Sequence, residues 1–162
     1  MADYMLDTVW WVAAEPEAVW PVLTAVEEWP TWWRGVRAVE RLEEGDAAGR
    51  GRRYRTTWRG RLPYDLTFET ETTRIERPVL IESRARGQLR GTGTWRLQSA
   101  GAATRVHYRW AVRTARLWMN ALTPLARPLF AWNHDALMRW GAEGLSRRLN
   151  APARFAADAA SE

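Results

Sequence analysis

Few side chains in this sequence can exchange protons near neutral pH. The chain has two histidines and no cysteine, so a general acid or base is sought first among the histidines. His134 borders the apolar face of a predicted helix, whereas His107 lies on the outward side of a predicted strand, between two arginines. Tyr108 or Tyr54 can supply a hydroxyl, and Asn133 can polarise a carbonyl as oxyanion donors do. The candidate catalytic residues are therefore His134 and Tyr108.

Other signatures of catalysis are missing from the sequence. No pair of carboxylates falls on an inward face, and there is no Ser-His-Asp order, phosphate loop or dinucleotide fingerprint. The two histidines lie on different faces, which argues against a metal site. We therefore expect no metal and no cofactor. Two interpretations stay open: an enzyme that uses His134, and a protein that only binds a ligand.

A long C-terminal helix is predicted from Phe130 to Leu149, because the stretch lacks proline and ends at Asn150 with Pro152 close behind. Its outward side would carry Asp135, Arg139, Ala142 and Ser146. Its inward side would carry Phe130, Asn133, Leu137, Trp140, Gly141 and Gly144. Two glycines and an amide fill a core poorly, so we predict that this helix covers a pocket. The alternative is that the glycines only allow close helix packing and the amide only bonds a neighbouring backbone group.

The helix follows a chain whose apolar period is mostly two. Strands are predicted for residues 4–12, 36–43, 50–59, 64–76, 79–87, 91–99 and 103–113. Two short helices, 13–24 and 28–33, separate the first two strands, and 116–122 forms a further brief helix. Thr123-Pro124 resembles the start of the last helix, although Pro128 leaves that start open. One of Trp32 and Trp33 should be buried under the last helix, and the other should lie near the surface or the pocket mouth.

This order of elements predicts one α+β domain over residues 1–150, with a seven-stranded curved antiparallel sheet around the C-terminal helix. Residues 151–162 are predicted to be a disordered tail, because they are small and polar. Strand parity turns a row of large side chains toward the helix. With residues of the helix itself, the predicted ligand-binding set is Trp10, Tyr54, Trp58, Tyr64, Phe68, Trp95, Tyr108, Trp110, Phe130, Asn133 and Leu137. Parity also turns Leu66, Ile81, Ser83 and Leu97 inward. The same rows could equally form a solid core.

The distribution of arginines predicts a second candidate binding surface. Nine arginines and no acidic residue lie between Ser83 and His134. The outward parity of three strands carries Arg84, Arg86, Arg96, Arg105, Arg109 and Arg113. This basic face would either pair with Asp65, Glu69 and Glu71 of a neighbouring strand or meet an anionic protein or lipid surface. Nucleic acid is not expected, because the tryptophans lie on the opposite parity.

The cellular setting is predicted from what the sequence lacks. It opens without the basic flank and long apolar run of a secretory signal, and no apolar stretch approaches the roughly 18 residues of a membrane span. We expect a cytoplasmic protein without a transmembrane segment.

Four segments resemble a known superfamily: VAAEPEAVWPVL, WPTWWRGVRAVERLEEG, GTGTWRL and FAWNHDALMRWGAEGL. They are similar to the SRPBCC (START-like, birch-pollen-allergen-like) superfamily, and specifically to its bacterial polyketide cyclase/dehydrase branch. The resemblance covers about residues 4–150. It implies a helix-grip fold with a deep hydrophobic cavity, whose members bind lipids, quinones, polyketides or hormones, and some of which catalyse cyclisation or dehydration.

We therefore expect binding of a hydrophobic or aromatic small molecule between the sheet and the C-terminal helix. One alternative is a cyclase or dehydratase that uses His134. A second alternative is an interaction protein that meets an anionic partner through its basic face.

Overall fold

The computed structural model describes residues 3–114 and 123–157. The chain begins with β1 (Asp3–Val12), α1 (Pro16–Thr24), a single 3-10 turn (Val26–Glu28) and α2 (Trp29–Trp32). The meander consists of β2 (Val36–Glu43), β3 (Arg53–Trp58), β4 (Leu66–Glu76), β5 (Leu80–Gly87), β6 (Leu89–Ala100) and β7 (Ala103–Thr114). The chain closes with α3 (Thr123–Leu149) and β8 (Ala153–Ala157). The brief helix predicted for residues 116–122 lies outside the described residues.

The eight strands form one antiparallel sheet in the order β2-β3-β4-β5-β6-β7-β1-β8. Consecutive strands from β2 to β7 are neighbours, because the short breaks between them permit only hairpin connections. The predicted α+β helix-grip architecture is confirmed: a large antiparallel sheet packs against a long C-terminal helix. No helix within the described ranges is long and apolar enough to cross a membrane.

The eighth strand corrects the predicted seven-stranded sheet and part of the predicted disordered tail: residues 153–157 form a strand, and residues 158–162 lie outside the described residues. Residues 153–157 pair antiparallel with β1, so that Phe155 lies opposite Trp10. The pairing begins where the amide of Ala13 donates to the carbonyl of Pro152, at 2.8 Å. Backbone hydrogen bonds along the open edge of β1 hold this strand, and such an edge accepts almost any sequence. The strand could therefore not be predicted from the small residues that form it.

The helix α3 begins at Thr123 and continues through Pro128 to Leu149. Its buried side is wider than predicted. Ala142, placed outward from the sequence, is 2% exposed and packs in the core with Met138 and Leu145. The reason is that β8, Trp32 and Trp33 cover part of the helix that a single sheet would leave open.

Tryptophan side chains fill the space under the C-terminal half of α3. Trp33 is 1% exposed and its indole N–H donates to the carbonyl of Leu137 at 2.8 Å. Trp10 does the same to the carbonyl of Met138 at 3.0 Å. Both rings occupy the place where a Cβ on Gly141 would be, 2.6 Å and 2.7 Å from their nearest atoms. Gly141 is therefore a packing residue, as the alternative interpretation held.

Trp32 and Trp33 are both buried, so the prediction that one lies near the surface was wrong. Trp33 leaves α2 in an extended conformation, with φ −102° and ψ 101°, which frees its ring from helical spacing. The ring of Trp32 stacks on it at 5.4 Å. The backbone of Trp32 approaches α3 so closely that a Cβ on Gly144 would overlap its carbonyl. Gly144 thus also serves packing.

Candidate functional site

Two adjoining cavities lie between the sheet and the helices. The first, the hydroxyl chamber, has a volume of about 100 Å³, and the second, the helix chamber, about 70 Å³. Each can hold several water molecules, since one needs about 10–15 Å³. The two chambers share six aromatic wall residues: Trp29, Trp58, Phe68, Trp95, Tyr108 and Trp110. A pocket under α3 was predicted, and the structure has one, but at the N-terminal half of the helix and not beside its glycines.

The hydroxyl chamber has one polar wall on the sheet. Thr56, Thr70, Thr72 and Ser83 come from the adjacent strands β3, β4 and β5, where Thr72 lies directly opposite Ser83. The hydroxyl of Thr56 accepts from the indole of Trp58 at 2.9 Å. The other three side-chain hydroxyls make no hydrogen bond with any described residue. This wall can therefore offer donors and acceptors to a bound molecule.

Arg52 lies at the edge of the same chamber, in the connection between β2 and β3. Its Nε donates to the carbonyl of Glu44 at 2.9 Å, and its guanidinium lies beside Gly49. In the described ranges no carboxylate lies within ion-pair distance of Arg52. Arg52 was not predicted as a site residue, although it shares inward parity with Tyr54. The signal was present, because an arginine on the inward parity of a strand is unusual.

The helix chamber is closed by one stretch of α3. Phe130, Asn133, His134, Leu137 and Met138 line it from the helix side. The side-chain oxygen of Asn133 accepts from the amide of Leu62 at 3.1 Å. Its carboxamide also fills the space where a Cβ on residue 60, a glycine, would be. Asn133 thus anchors the loop between β3 and β4, which supports the structural interpretation of this amide.

His134 lacks the partners that a buried imidazole normally has. The residue is 8% exposed, and neither ring nitrogen has a hydrogen-bond partner among the residues described. The nearest carboxylate oxygen, on Asp135, is 3.8 Å from Nδ1. The ring lies nearly parallel to that of Tyr108, at 16° and 6.5 Å between centroids. A buried polar group without a partner is costly and calls for a ligand or water in the chamber.

Tyr108 supplies the polar group next to His134. Desolvation by the surrounding side chains raises the pKa of its phenol far above the ordinary value, so the hydroxyl stays protonated. It can therefore donate a hydrogen bond into the chambers but cannot act as a base at neutral pH. If proton abstraction takes place here, the imidazole must perform it.

Comparison with known protein families decides the relationship of this chain. A family model described as "Polyketide cyclase / dehydrase and lipid transport" matches residues 8–152. The chain belongs to this family. The resemblance to the SRPBCC superfamily is thereby confirmed. No curated protein matches the sequence.

Solved structures share the fold at low sequence identity. The Zhui aromatase/cyclase from Streptomyces sp. R1128 has a TM-score of 0.75 at 18% identity, over 92% of this chain and 94% of that one. A START superfamily protein from Mycobacterium smegmatis has a TM-score of 0.72 at 15% identity, over 90% and 97%. A protein from Thermus thermophilus has a TM-score of 0.71 at 20% identity, over 91% and 97%. These likenesses are similarities of fold.

In this cyclase/dehydrase-family protein, most of the predicted ligand-binding residues line the chambers. The hydroxyl chamber includes Tyr54, Trp58, Phe68, Trp95, Tyr108 and Trp110, and the helix chamber adds Phe130, Asn133 and Leu137. Trp10 lies instead in the solid core over Gly141. Tyr64 is half-buried at the edge of a cluster that includes Leu66 and Phe130. Their role in ligand binding stays a prediction.

The structure also adds wall residues that strand parity did not indicate. Trp29 lines both chambers from α2, and its indole donates to the carbonyl of Leu23 at 3.1 Å. Trp33 and Met138 contribute to the helix chamber. A four-residue helix has no readable period, so the orientation of Trp29 could not be predicted.

The outer face of the sheet in this family member is only partly neutralised. Glu69 pairs with Arg53 and Arg55 of β3, at 2.9 Å and 3.0 Å, although Arg86 of β5 lies opposite it in register. Arg84, Arg86 and Arg96 have no carboxylate partner within the described part of the chain. Contact of this face with an anionic protein or lipid surface stays a prediction.

His107 lies on the outer face, as predicted, but it is not simply solvated. Its Nε2 is 2.8 Å from a carboxylate oxygen of Asp7 on β1, and Arg109 donates to the same carboxylate. Burial alone would raise the pKa of Asp7, but the hydrogen bonds from Arg109 and His107 hold it below its ordinary value. His107 therefore has a structural hydrogen-bond partner in Asp7 and lies away from the chambers.

Proposed function

We propose that this protein binds an apolar or aromatic small molecule in the two chambers. The observation that carries the proposal is a shared aromatic wall between the sheet and α3, in which His134 is buried without a partner. Family membership supports a role of this kind, either in binding a hydrophobic ligand or in polyketide cyclisation. Ligand sites are concave and mostly apolar, with few polar groups, and both chambers have this composition.

The driving force would be burial of apolar ligand surface against aromatic rings. Each Å² of apolar surface removed from water contributes about 25 cal/mol, and the faces of Trp95 and Tyr108 offer such surface. Those two rings stack at 4.1 Å with 24° between their planes. A flat molecule can continue such a stack with favourable offset geometry.

The direct test fills the hydroxyl chamber. Ser83→Phe places a ring in the chamber, whereas Thr92→Phe places the same ring on the outer face of the neighbouring strand. Binding of N-phenyl-1-naphthylamine, a neutral fluorescent probe, is measured by titration of both variants and of the unmodified protein. We expect at least tenfold weaker binding for Ser83→Phe and unchanged binding for Thr92→Phe. Equal binding by all three proteins, or no binding by the unmodified protein, contradicts the proposal.

A second candidate function is a cyclase or dehydratase reaction in the helix chamber. The free nitrogens of His134 favour it, because a neutral imidazole can remove a proton from a carbon activated by an adjacent carbonyl. The protonated hydroxyl of Tyr108 can donate to that carbonyl oxygen as negative charge develops.

His134→Gln separates this candidate from simple binding. Glutamine keeps a polar side chain and removes the titrating group. For an enzyme we expect a loss of about 10²–10⁴ in rate with ligand affinity intact. Unchanged turnover of an accepted polyketide-type substrate would exclude His134 as the base.

A further inference from the structure

We propose that the ligand is an elongated aromatic carboxylic acid. Its carboxylate lies on Arg52 in the hydroxyl chamber, and a phenolic or ketone oxygen at its far end lies on His134 in the helix chamber. This inference rests on the proposed binding function and specifies its ligand class.

The carboxylate is inferred from an uncompensated charge. Arg52 is the only charged side chain among the described residues that line the hydroxyl chamber, and none of the residues that line either chamber is Asp or Glu. Neighbouring arginines are paired: Arg53 and Arg55 share Glu69. Arg52 uses only its Nε, on a backbone carbonyl. Its two terminal nitrogens keep the parallel N–H groups that bind a carboxylate bidentately.

Free hydroxyls extend the anion site along the sheet. The amide of Thr72 donates to the carbonyl of Arg52 at 3.0 Å, which places β4 directly beside this arginine. The side chains of Thr72 and Ser83 are opposite each other in the ladder and line the same chamber. A carboxylate held by Arg52 can therefore accept further hydrogen bonds from this wall.

The flat body is inferred from ring orientation. The rings of Trp95 and Trp110 are each inclined by 24° to the ring of Tyr108, with centroids 4.1 Å and 5.9 Å from it. His134 continues the series at 16° to Tyr108. The Trp95, Tyr108 and Trp110 rings line both chambers, and Arg52 and His134 each line one of them, so these near-parallel faces form a stacking surface that the two chambers share. A planar aromatic body fits this surface better than a flexible alkyl chain.

The distal oxygen is inferred from the imidazole. His134 is buried, with both ring nitrogens unpartnered in the part of the chain that the structure describes. A hydrocarbon end would leave this group unsatisfied, at a cost similar to that of a lost hydrogen bond. A phenol can donate to a neutral imidazole, and a ketone can accept from its N–H. The ligand that satisfies both chambers thus has polar groups at both ends and an apolar middle.

The test compares four probes by isothermal titration at neutral pH: 6-hydroxy-2-naphthoic acid, its methyl ester, 2-naphthoic acid and decanoate. We expect the hydroxy acid to bind best. The ester, which lacks the charge, should bind about tenfold weaker or more, since hydrogen bonds to charged groups are the stronger kind. 2-Naphthoic acid and decanoate should each be at least several-fold weaker than the hydroxy acid.

Two variants locate the contacts. Arg52→Gln should remove the preference for the acid over its ester. Arg50→Gln removes the same charge from the exposed side of the same connection and should leave that preference intact. His134→Phe keeps an aromatic ring and should remove the preference for 6-hydroxy-2-naphthoic acid over 2-naphthoic acid.

The outcomes separate this inference from the broader function. Ester and acid of equal affinity, or equal losses in Arg52→Gln and Arg50→Gln, overturn the carboxylate assignment. Decanoate that binds as tightly as the hydroxy acid overturns the aromatic assignment, and an unchanged hydroxyl preference in His134→Phe overturns the distal contact. In each case binding of N-phenyl-1-naphthylamine still supports the proposed function. If the protein also fails to bind this neutral probe, both the ligand class and the proposed binding function are overturned.

Discussion

The two halves of α3 cover the sheet in opposite ways. Its C-terminal half, with Gly141 and Gly144, lies on tryptophan rings and backbone with no space between. Its N-terminal half, with Phe130 and His134, carries larger side chains and yet lies over a cavity. The small residues of α3 lie where the side chains packed against the helix are largest. The cavity lies where the aromatic side chains of the helix and those of the sheet do not reach each other.

This difference shows that a cavity cannot be predicted from the side chains of one helix or one strand alone. A glycine adds no side-chain volume, but the indoles of Trp10 and Trp33 supply that volume from the other side of the interface. Packing density is a property of the two surfaces together. Stability and ligand binding are therefore expected to depend on different halves of one helix, and substitutions can test that division.

The largest effect is expected at Gly144. In Gly144→Ala the new Cβ would overlap the backbone carbonyl of Trp32, which cannot rotate away. We expect a loss of about 3 kcal/mol in the free energy of unfolding, measured by chemical denaturation. Glu143→Ala, one position earlier on the exposed side, should change it by less than about 0.5 kcal/mol. Equal stability of the two variants would mean that the C-terminal half of α3 is not tightly packed.

A smaller loss is expected at Trp33. Trp33→Phe removes the indole N–H that donates to the carbonyl of Leu137, and it leaves a void beside Gly141. The expected loss is about 2 kcal/mol in the free energy of unfolding. Trp132→Phe is the matched control, because Trp132 lies half exposed on α3 and its loss should cost little. A control as destabilising as Trp33→Phe would contradict the assignment of the dense region.

The smallest effect, and of opposite sign, is expected at His134. His134→Leu replaces an unpartnered buried imidazole by an apolar side chain of similar size. We expect the free energy of unfolding to rise by about 1 kcal/mol, since the desolvation cost of the ring nitrogens disappears. Binding of 6-hydroxy-2-naphthoic acid should weaken in the same variant. Destabilisation instead would show that His134 has an important structural role in the N-terminal half of α3.

Strand parity predicted much of the binding surface because its cause is local. Successive side chains in a strand point to opposite faces, so Tyr54, Phe68, Trp95 and Tyr108 were correctly turned inward from the sequence alone. The same rule also turned Trp10 inward, where it meets α3 directly and not the cavity. Strand parity predicts which face of the sheet a side chain lies on, but it does not predict whether that face is packed solidly or borders a cavity.

Arg52, Trp29 and β8 were missed for three physical reasons. Arg52 lies just outside β3, and its place at the chamber depends on the hydrogen bond from its Nε to the carbonyl of Glu44. Trp29 is held by a hydrogen bond from its indole to Leu23 in a helix too short to have a period. Ala153–Ala157 became a strand because β1 had an open edge, which is information that resides in another segment.

By itself, the sequence determined the alternation of the strands, the antiparallel meander and the existence of a long closing helix, since each depends on neighbouring residues and short turns. Only the tertiary structure decided which half of that helix is solid and which is hollow. The position of the cavity depends on rings from α2, β3, β6 and β7 that are far apart in the chain. The volume left between such surfaces is set when they pack together, and no single segment encodes it.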